Sequence, residues 1–245
     1  MSVVAGDHSN EVGQHGSDTE VAGVSRRSAV LVTLVLLLAA PTLAFAADPP
    51  GSPRHAYRAA DVRRATSALL RKSDLIASFA VDPKEAGVPL IPHCLDFPGD
   101  RSNVTVTGQA KAAFTDGADA MGSSTIFFKT RSDLDRYWAS TVRERFVSCD
   151  AELYAASRRE GVQAETMFAS AIPLSATGAQ AAKAFRMITH LSDANSAVDR
   201  YQTTVFLRSG RGLTMIKILY YNQPCDCYSG LAQRLAHRLI KANHR

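Results

Sequence analysis

Several common chemistries have no footing in this sequence. No Gly-x-Ser-x-Gly elbow, His-Glu-x-x-His helix, Gly-x-x-x-x-Gly-Lys loop or dinucleotide fingerprint occurs in its 245 residues. The local signatures of serine-hydrolase, zinc-protease, P-loop and Rossmann chemistry are therefore missing, and no catalytic residue can be nominated. Aromatics make up 7 % of the chain and Trp138 is its single tryptophan, so the core must be aliphatic with few large anchors. The formal charge is +5, yet Lys and Arg are scattered and form no run of five or more. Without a basic block, no nucleic-acid partner is expected. No His or Cys stands near Cys225 and Cys227 at zinc spacing, so neither a metal nor a cofactor is expected.

What the chain does have begins with an export pattern. Residues 1–27 are polar and without apolar periodicity until Arg26 and Arg27, and read as a disordered leader. Residues 28–47 carry no charge, and their centre is almost wholly aliphatic. Pro41 breaks the run, and Ala44-Phe45-Ala46 offers a small-x-small cleavage site. A positive flank, a short apolar core and a small-residue site are the parts of a secretory signal. The run is also long enough to span a bilayer as an uncleaved anchor, at about 1.5 Å per residue. In that case this segment is the membrane contact. Either way residues 48–245 are expected outside, secreted or on the extracytoplasmic face. Without residues 1–46, and so without two arginines and four acidic residues, the remainder carries 26 basic and 19 acidic residues, or +7.

All four cysteines, Cys94, Cys149, Cys225 and Cys227, lie in the exported part. An even count in an oxidising compartment points to disulfides, and four cysteines allow three connectivities. Cys94 sits in a Pro-bounded loop and Cys149 on the apolar face of a predicted helix. Joining them closes a loop of about 55 residues, worth about 3–4 kcal/mol in the chain-entropy model. That leaves Cys225 with Cys227, while the crossed pairings stay open on sequence alone. His93 beside Cys94 is not read as a nucleophile pair, because sequence neighbours rarely face each other and a disulfide consumes the thiol.

Residues 48–56, with three prolines, read as a linker, and residues 57–245 as one α+β domain. Helix is predicted over 57–80 from Val62, Ala65, Leu69 and Leu75. A strand over 103–114 alternates, with Val104, Val106, Ala110, Ala112 and Phe114 on one parity. Gly117 and Gly122 mark a turn before a short strand over 124–129. Ser132 with Asp135 predicts the capping of a helix over 132–153, whose stripe is Leu134, Trp138, Val142, Phe146, Cys149 and Leu153. Strands follow at 163–174, 181–191, 200–208 and 213–221, the last two joined through Ser209-Gly210-Arg211-Gly212. The strand over 213–221 is apolar on both faces, which belongs at the centre of a sheet. A closing helix over 226–242 carries Leu231, Leu235 and Leu239. The result is a mainly antiparallel sheet packed by helices.

The early helix ending in Leu69-Leu70, the Cys94 loop before Val104-Thr105-Val106-Thr107-Gly108-Gln109-Ala110, the Cys149 helix and the late hairpin before the closing helix occur in that order. This arrangement resembles the extracytoplasmic sensor domain of PknH-type kinases and related secreted or lipid-anchored actinobacterial proteins of PsbP-like fold, over roughly residues 65–240. The resemblance implies one disulfide-stabilised antiparallel sheet and a module that binds a small ligand or an envelope partner without catalysis. The chain departs from those relatives in having no kinase domain and no lipidated cysteine, so a signalling role does not carry over. Arg186 and His190 share a strand face and Arg208 follows on the next strand, which nominates the three as an anion-holding patch. An exported hydrolase assembled only in the fold, or an anchored structural envelope protein, are the alternatives.

Overall fold

The structure is a computed structural model and describes residues 51–82, 100–143, 146, 149, 163–175, 177–193 and 195–244. The export segment, His93, Cys94 and Leu153 lie outside the described residues. Among those described, the elements are β1 (Arg54–His55), α1 (Ala59–Ser67), a 3-10 turn (Lys72–Asp74), β2 (Ala80–Val81), β3 (Thr105–Asp116) and β4 (Asp119–Phe128). α2 (Arg131–Thr141), β5 (Gln163–Ile172), β6 (Ala181–Ser192), β7 (Ala197–Ser209), β8 (Gly212–Tyr221) and α3 (Tyr228–Asn243) follow.

The strands form a single sheet in the order β1-β3-β4-β8-β7-β6-β5, with β2 also paired to β3. Every pairing is antiparallel except β1 on β3. The α+β expectation holds, and β8 is central as its two apolar faces require. Met215 faces one side of it and Ile216 the other, at 4 % and 0 % exposure. Each face therefore has its own core. One joins α1 and α3 to Phe114, Phe127, Val205, Leu207, Ile216 and Ile218. The other joins α2, Phe146 and Cys149 to Val106, Phe128, Phe185, Phe206 and Met215. α3 is held by Leu231, Leu235 and Leu239, all at most 1 % exposed, each worth about 1.5–3 kcal/mol of burial.

Several expectations shift. The predicted linker ends inside the sheet: Arg54 N–H donates to the Val104 carbonyl at 2.8 Å, and Ala56 N–H to that of Val106 at 2.8 Å. The predicted 57–80 helix stops at Ser67. Beyond it Leu70 turns its N–H to the Ser123 hydroxyl, at 2.9 Å, and Arg71 N–H is taken by Asp74 at 2.7 Å. These bonds hold consecutive leucines inward, which helical spacing would not do.

β3 does not bury one parity throughout. A bulge lies between Val106 and Gly108, so Val106 pairs with Phe128 while Gly108 pairs with Phe127. The extra residue, Thr107, switches the phase. Val104 and Val106 consequently face the α2 side, and Ala110, Ala112 and Phe114 the α1/α3 side. Gly122 is not in a turn. The β3–β4 turn holds Gly117, at φ +61°, while Gly122 pairs with Ala113 and Lys217 inside β4.

α2 is capped by Thr130 and Asp133 rather than Ser132 and Asp135. Thr130 Oγ1 accepts the Asp133 N–H at 3.0 Å, and Asp133 returns a bond to the Thr130 N–H at 3.2 Å. α2 ends at Thr141 and is followed by non-helical Val142 and Arg143, but Phe146 and Cys149 are again helical and are buried at 0 % and 2 % exposure. Trp138 only packs at the margin of that core. Its neighbour Tyr137 is the buried anchor, with its ring 5.0 Å from that of Phe128.

Candidate functional site

The predicted patch of Arg186, His190 and Arg208 is not assembled. In the β6–β7 ladder Arg186 pairs with Thr203 and Arg208 with Ala181, so even-numbered residues of the two strands face opposite sides. Arg208 lies on the α2 face, where it bonds Asp135 at 2.8 Å and stacks over Trp138 at 5.5 Å. Arg186 lies on the α3 face, over the Tyr228 ring at 5.6 Å, with Nε donating to Thr203 Oγ1 at 3.4 Å. His190 stands further along the same face and bonds Asp199 at 2.9 Å, with both side chains well exposed.

The cysteines follow the preferred pairing where it can be followed. Cys225 and Cys227 form a disulfide, and Cys149 is itself disulfide-bonded. Cys94 lies outside the described residues.

A different set of side chains gathers on the α2 face of the sheet. Register places Ser124 of β4, Lys217 of β8, Arg200, Gln202 and Thr204 of β7, and Thr189 of β6 on this one side. All six are 4 % exposed or less. Lys217 is flanked directly by Thr204 and by Gly122, and diagonally by Ser124. Arg200 Nη2 donates to Gln202 Oε1 at 3.2 Å. The hydroxyls of Ser124, Thr189 and Thr204 are buried with no hydrogen-bond partner.

The opposite face treats its buried hydroxyls differently. Ser123 accepts the Leu70 N–H at 2.9 Å, and Thr125 bonds Thr214 at 2.9 Å. Thr107, at the bulge, donates to Asp61 at 2.6 Å. A buried polar group left unmatched costs about 1–3 kcal/mol, and three such hydroxyls lie along this one face of the sheet. Among the described residues, a Cβ added at Gly122 would meet the Ala112 carbonyl oxygen at 3.4 Å. Gly122, itself buried, places no side chain beside Lys217.

Sequence reading missed this cluster, although one signal was present. Lys217 is a lone cation in Leu213-Thr214-Met215-Ile216-Lys217-Ile218-Leu219, the strand read as covered on both sides. A charge at the centre of a fully covered strand requires polar company. On β7 the polar parity of Arg200, Gln202 and Thr204 looks like a solvent face and is a buried one.

Beyond this floor Arg101 is buried over the Tyr137 ring, its guanidinium carbon 5.2 Å from the centroid. Burial pushes the Tyr137 phenol up to about 12, and Arg101 offsets only part of that. Desolvation likewise lowers the Arg101 guanidinium from its ordinary value. At the far end of α1, Asp61 collects Arg64 at 2.7 Å, Arg211 at 3.1 Å and Thr107. Burial raises this carboxyl, but hydrogen bonds from Thr107, Arg211 and Arg64 outweigh it and hold the group below its ordinary value. The Asp61 cluster is satisfied within itself, whereas the Tyr137 hydroxyl and Arg101 Nε are buried without a hydrogen-bond partner.

No protein-family model matches the chain, and no curated protein is similar to it.

Proposed function

We propose that this protein is an exported, non-catalytic binding module that takes a small polar ligand on the α2 face of its sheet. Export follows from the charged flank, apolar run and cleavage site of residues 26–47. The ligand reading rests on one observation: the hydroxyls of Thr204 and Ser124, buried without a hydrogen-bond partner, flank Lys217 directly and diagonally on the neighbouring strands. A few convergent polar groups in otherwise apolar surroundings are the usual make-up of a small-molecule site. The hydroxyls supply unused donors and acceptors in a neighbourhood of positive charge, which suits carboxylates, phosphates and sugars.

The test presents the full chain with a panel of those three probe classes, followed by thermal unfolding and calorimetry. At least one class should raise the melting temperature by several degrees. Thr204→Val and Gly122→Leu should each weaken that binding tenfold or more while the circular dichroism of the fold is kept. The reading is wrong if no class binds the wild type, or if the two substitutions leave affinity unchanged.

A further inference from the structure

The Cys225–Cys227 disulfide is poorly placed for the ordinary work of a disulfide. It closes a ring through one intervening residue, with Cα atoms 5.2 Å apart, and so constrains the unfolded chain far less than a long-range link. The helix it precedes is already fixed by Leu231, Leu235 and Leu239, which are fully buried. Removing the bond would leave α3 in place.

Its surroundings suit exchange chemistry instead. Cys227 occupies the N-cap of the 16-residue α3, where the unpaired N–H groups of the first turn create a positive end. The Cys227 N–H points at Cys225 Sγ, at 3.1 Å. A sulfur that accepts a backbone N–H at a helix amino end is favoured as thiolate. Arg186 reaches this end of the helix from β6, over Tyr228 and 3.9 Å from Asp226. Asp226, between the two cysteines and 93 % exposed, opposes that field from solvent. Both cysteines are partly exposed, whereas disulfide-bonded Cys149 is 2 % exposed in the α2-side core. Among the described cysteines, Cys225 and Cys227 are therefore reachable and Cys149 is shielded.

We infer that Cys225 and Cys227 form an exchangeable redox couple whose partner is a dithiol protein or peptide. A thiolate of the partner attacks Cys227 Sγ, the Cys225–Cys227 bond breaks, and Cys225 leaves as the thiolate that its hydrogen bond favours. The partner's second thiolate then attacks its own sulfur in the mixed disulfide and releases Cys227. The partner is oxidised to a disulfide and gives two electrons, and the Cys225–Cys227 pair is reduced to two thiols. This activity stands apart from ligand binding on the other face of the sheet.

The full chain is equilibrated in glutathione buffers of graded poise, quenched in acid and alkylated, and each cysteine is read by peptide mass. Cys225 and Cys227 should become half-reduced at a ratio of [GSH]² to [GSSG] at least tenfold lower than Cys149. In Cys227→Ser, the rate of Cys225 alkylation should rise with pH around a midpoint below the ordinary thiol value of about 8.5. The oxidised wild type should oxidise an unstructured dithiol peptide, and Cys227→Ser should not. Reduction of all the cysteines together, or a thiol midpoint at or above the ordinary value, overturns the proposal. The first measurement needs no variant, so a misfolded substitution cannot shelter it.

Discussion

Two aspartates show how individual side chains are tuned by what surrounds them. Burial raises the Asp74 carboxyl, but bonds from Arg238 and the Arg71 N–H lower it further, to a net value below the ordinary 3.8. Arg238 grips it with two bonds, each 2.6 Å, and also donates to the Leu69 carbonyl at 2.9 Å. In sequence, Arg238 reads as a cation placed for the helix dipole; in the fold it is a fork on a buried carboxylate. Asp61 is lowered in the same way by its own partners. A carboxyl whose folded value is depressed adds stability in full above its unfolded value, and that contribution disappears as pH falls through the folded value. Unfolding free energy should therefore be steady from neutrality to about pH 4 and fall steeply below it. The double variant Asp61→Asn, Asp74→Asn should be less stable at neutral pH and lose much of that acid slope. Urea titrations at stepped pH would show both effects.

At the level of elements, what was legible followed periodicity, and what was not depended on a partner far away in the chain. The Leu231, Leu235 and Leu239 stripe and the doubly apolar β8 are written in local spacing, and both elements stand where spacing puts them. The capping pair of α2 is misjudged by two residues because Asp133 and Asp135 both lie at capping distance from a hydroxyl residue, and strand β4 decides by ending at Phe128. The bulge at Thr107 has no local cause. It follows from α1, which lies so close to β3 that a Cβ at Gly108 would overlap the Asp61 backbone and stand 2.7 Å from the Val62 nitrogen. Gly108→Ala must push α1 outward. A loss of about 1–3 kcal/mol is expected, the usual range for overpacking. Chemical denaturation would measure it, and an unchanged midpoint would contradict the close approach. The glycines of the β7–β8 hairpin divide the same two roles. Gly210 takes φ +53° for the turn, while Gly212 has ordinary backbone and leaves room for Leu239, whose Cδ1 would stand 2.7 Å from an added Cβ.

At the level of the whole molecule, one sheet separates two cores of different character. Among the described residues, the α1/α3 side matches the hydroxyls of Ser123, Thr125 and Thr107, and the α2 side leaves those of Ser124, Thr189 and Thr204 unmatched. The candidate site could not be read from strand parity, because parity says which residues of one strand share a side and not which side that is. The Arg186–Arg208 error is of that kind: only the ladder register relates β6 to β7. The disulfides differ by scale as well. A one-residue ring adds only about 1.5 kcal/mol in the chain-entropy model, so the molecule does not depend on Cys225–Cys227 to stay folded.

The Asp61 cluster joins α1, the β3 bulge and the β7–β8 hairpin, and Asp61 and Arg211 are 150 positions apart. Such a clasp closes only once the sheet between its ends has formed, so it belongs on the native side of the folding barrier. Weakening it by about 2 kcal/mol through Asp61→Asn should then speed unfolding about 30-fold and leave the refolding rate nearly untouched. Stopped-flow kinetics would tell the two limbs apart. In that sense the cluster sets how long a finished molecule lasts, and has little say in how quickly it is made.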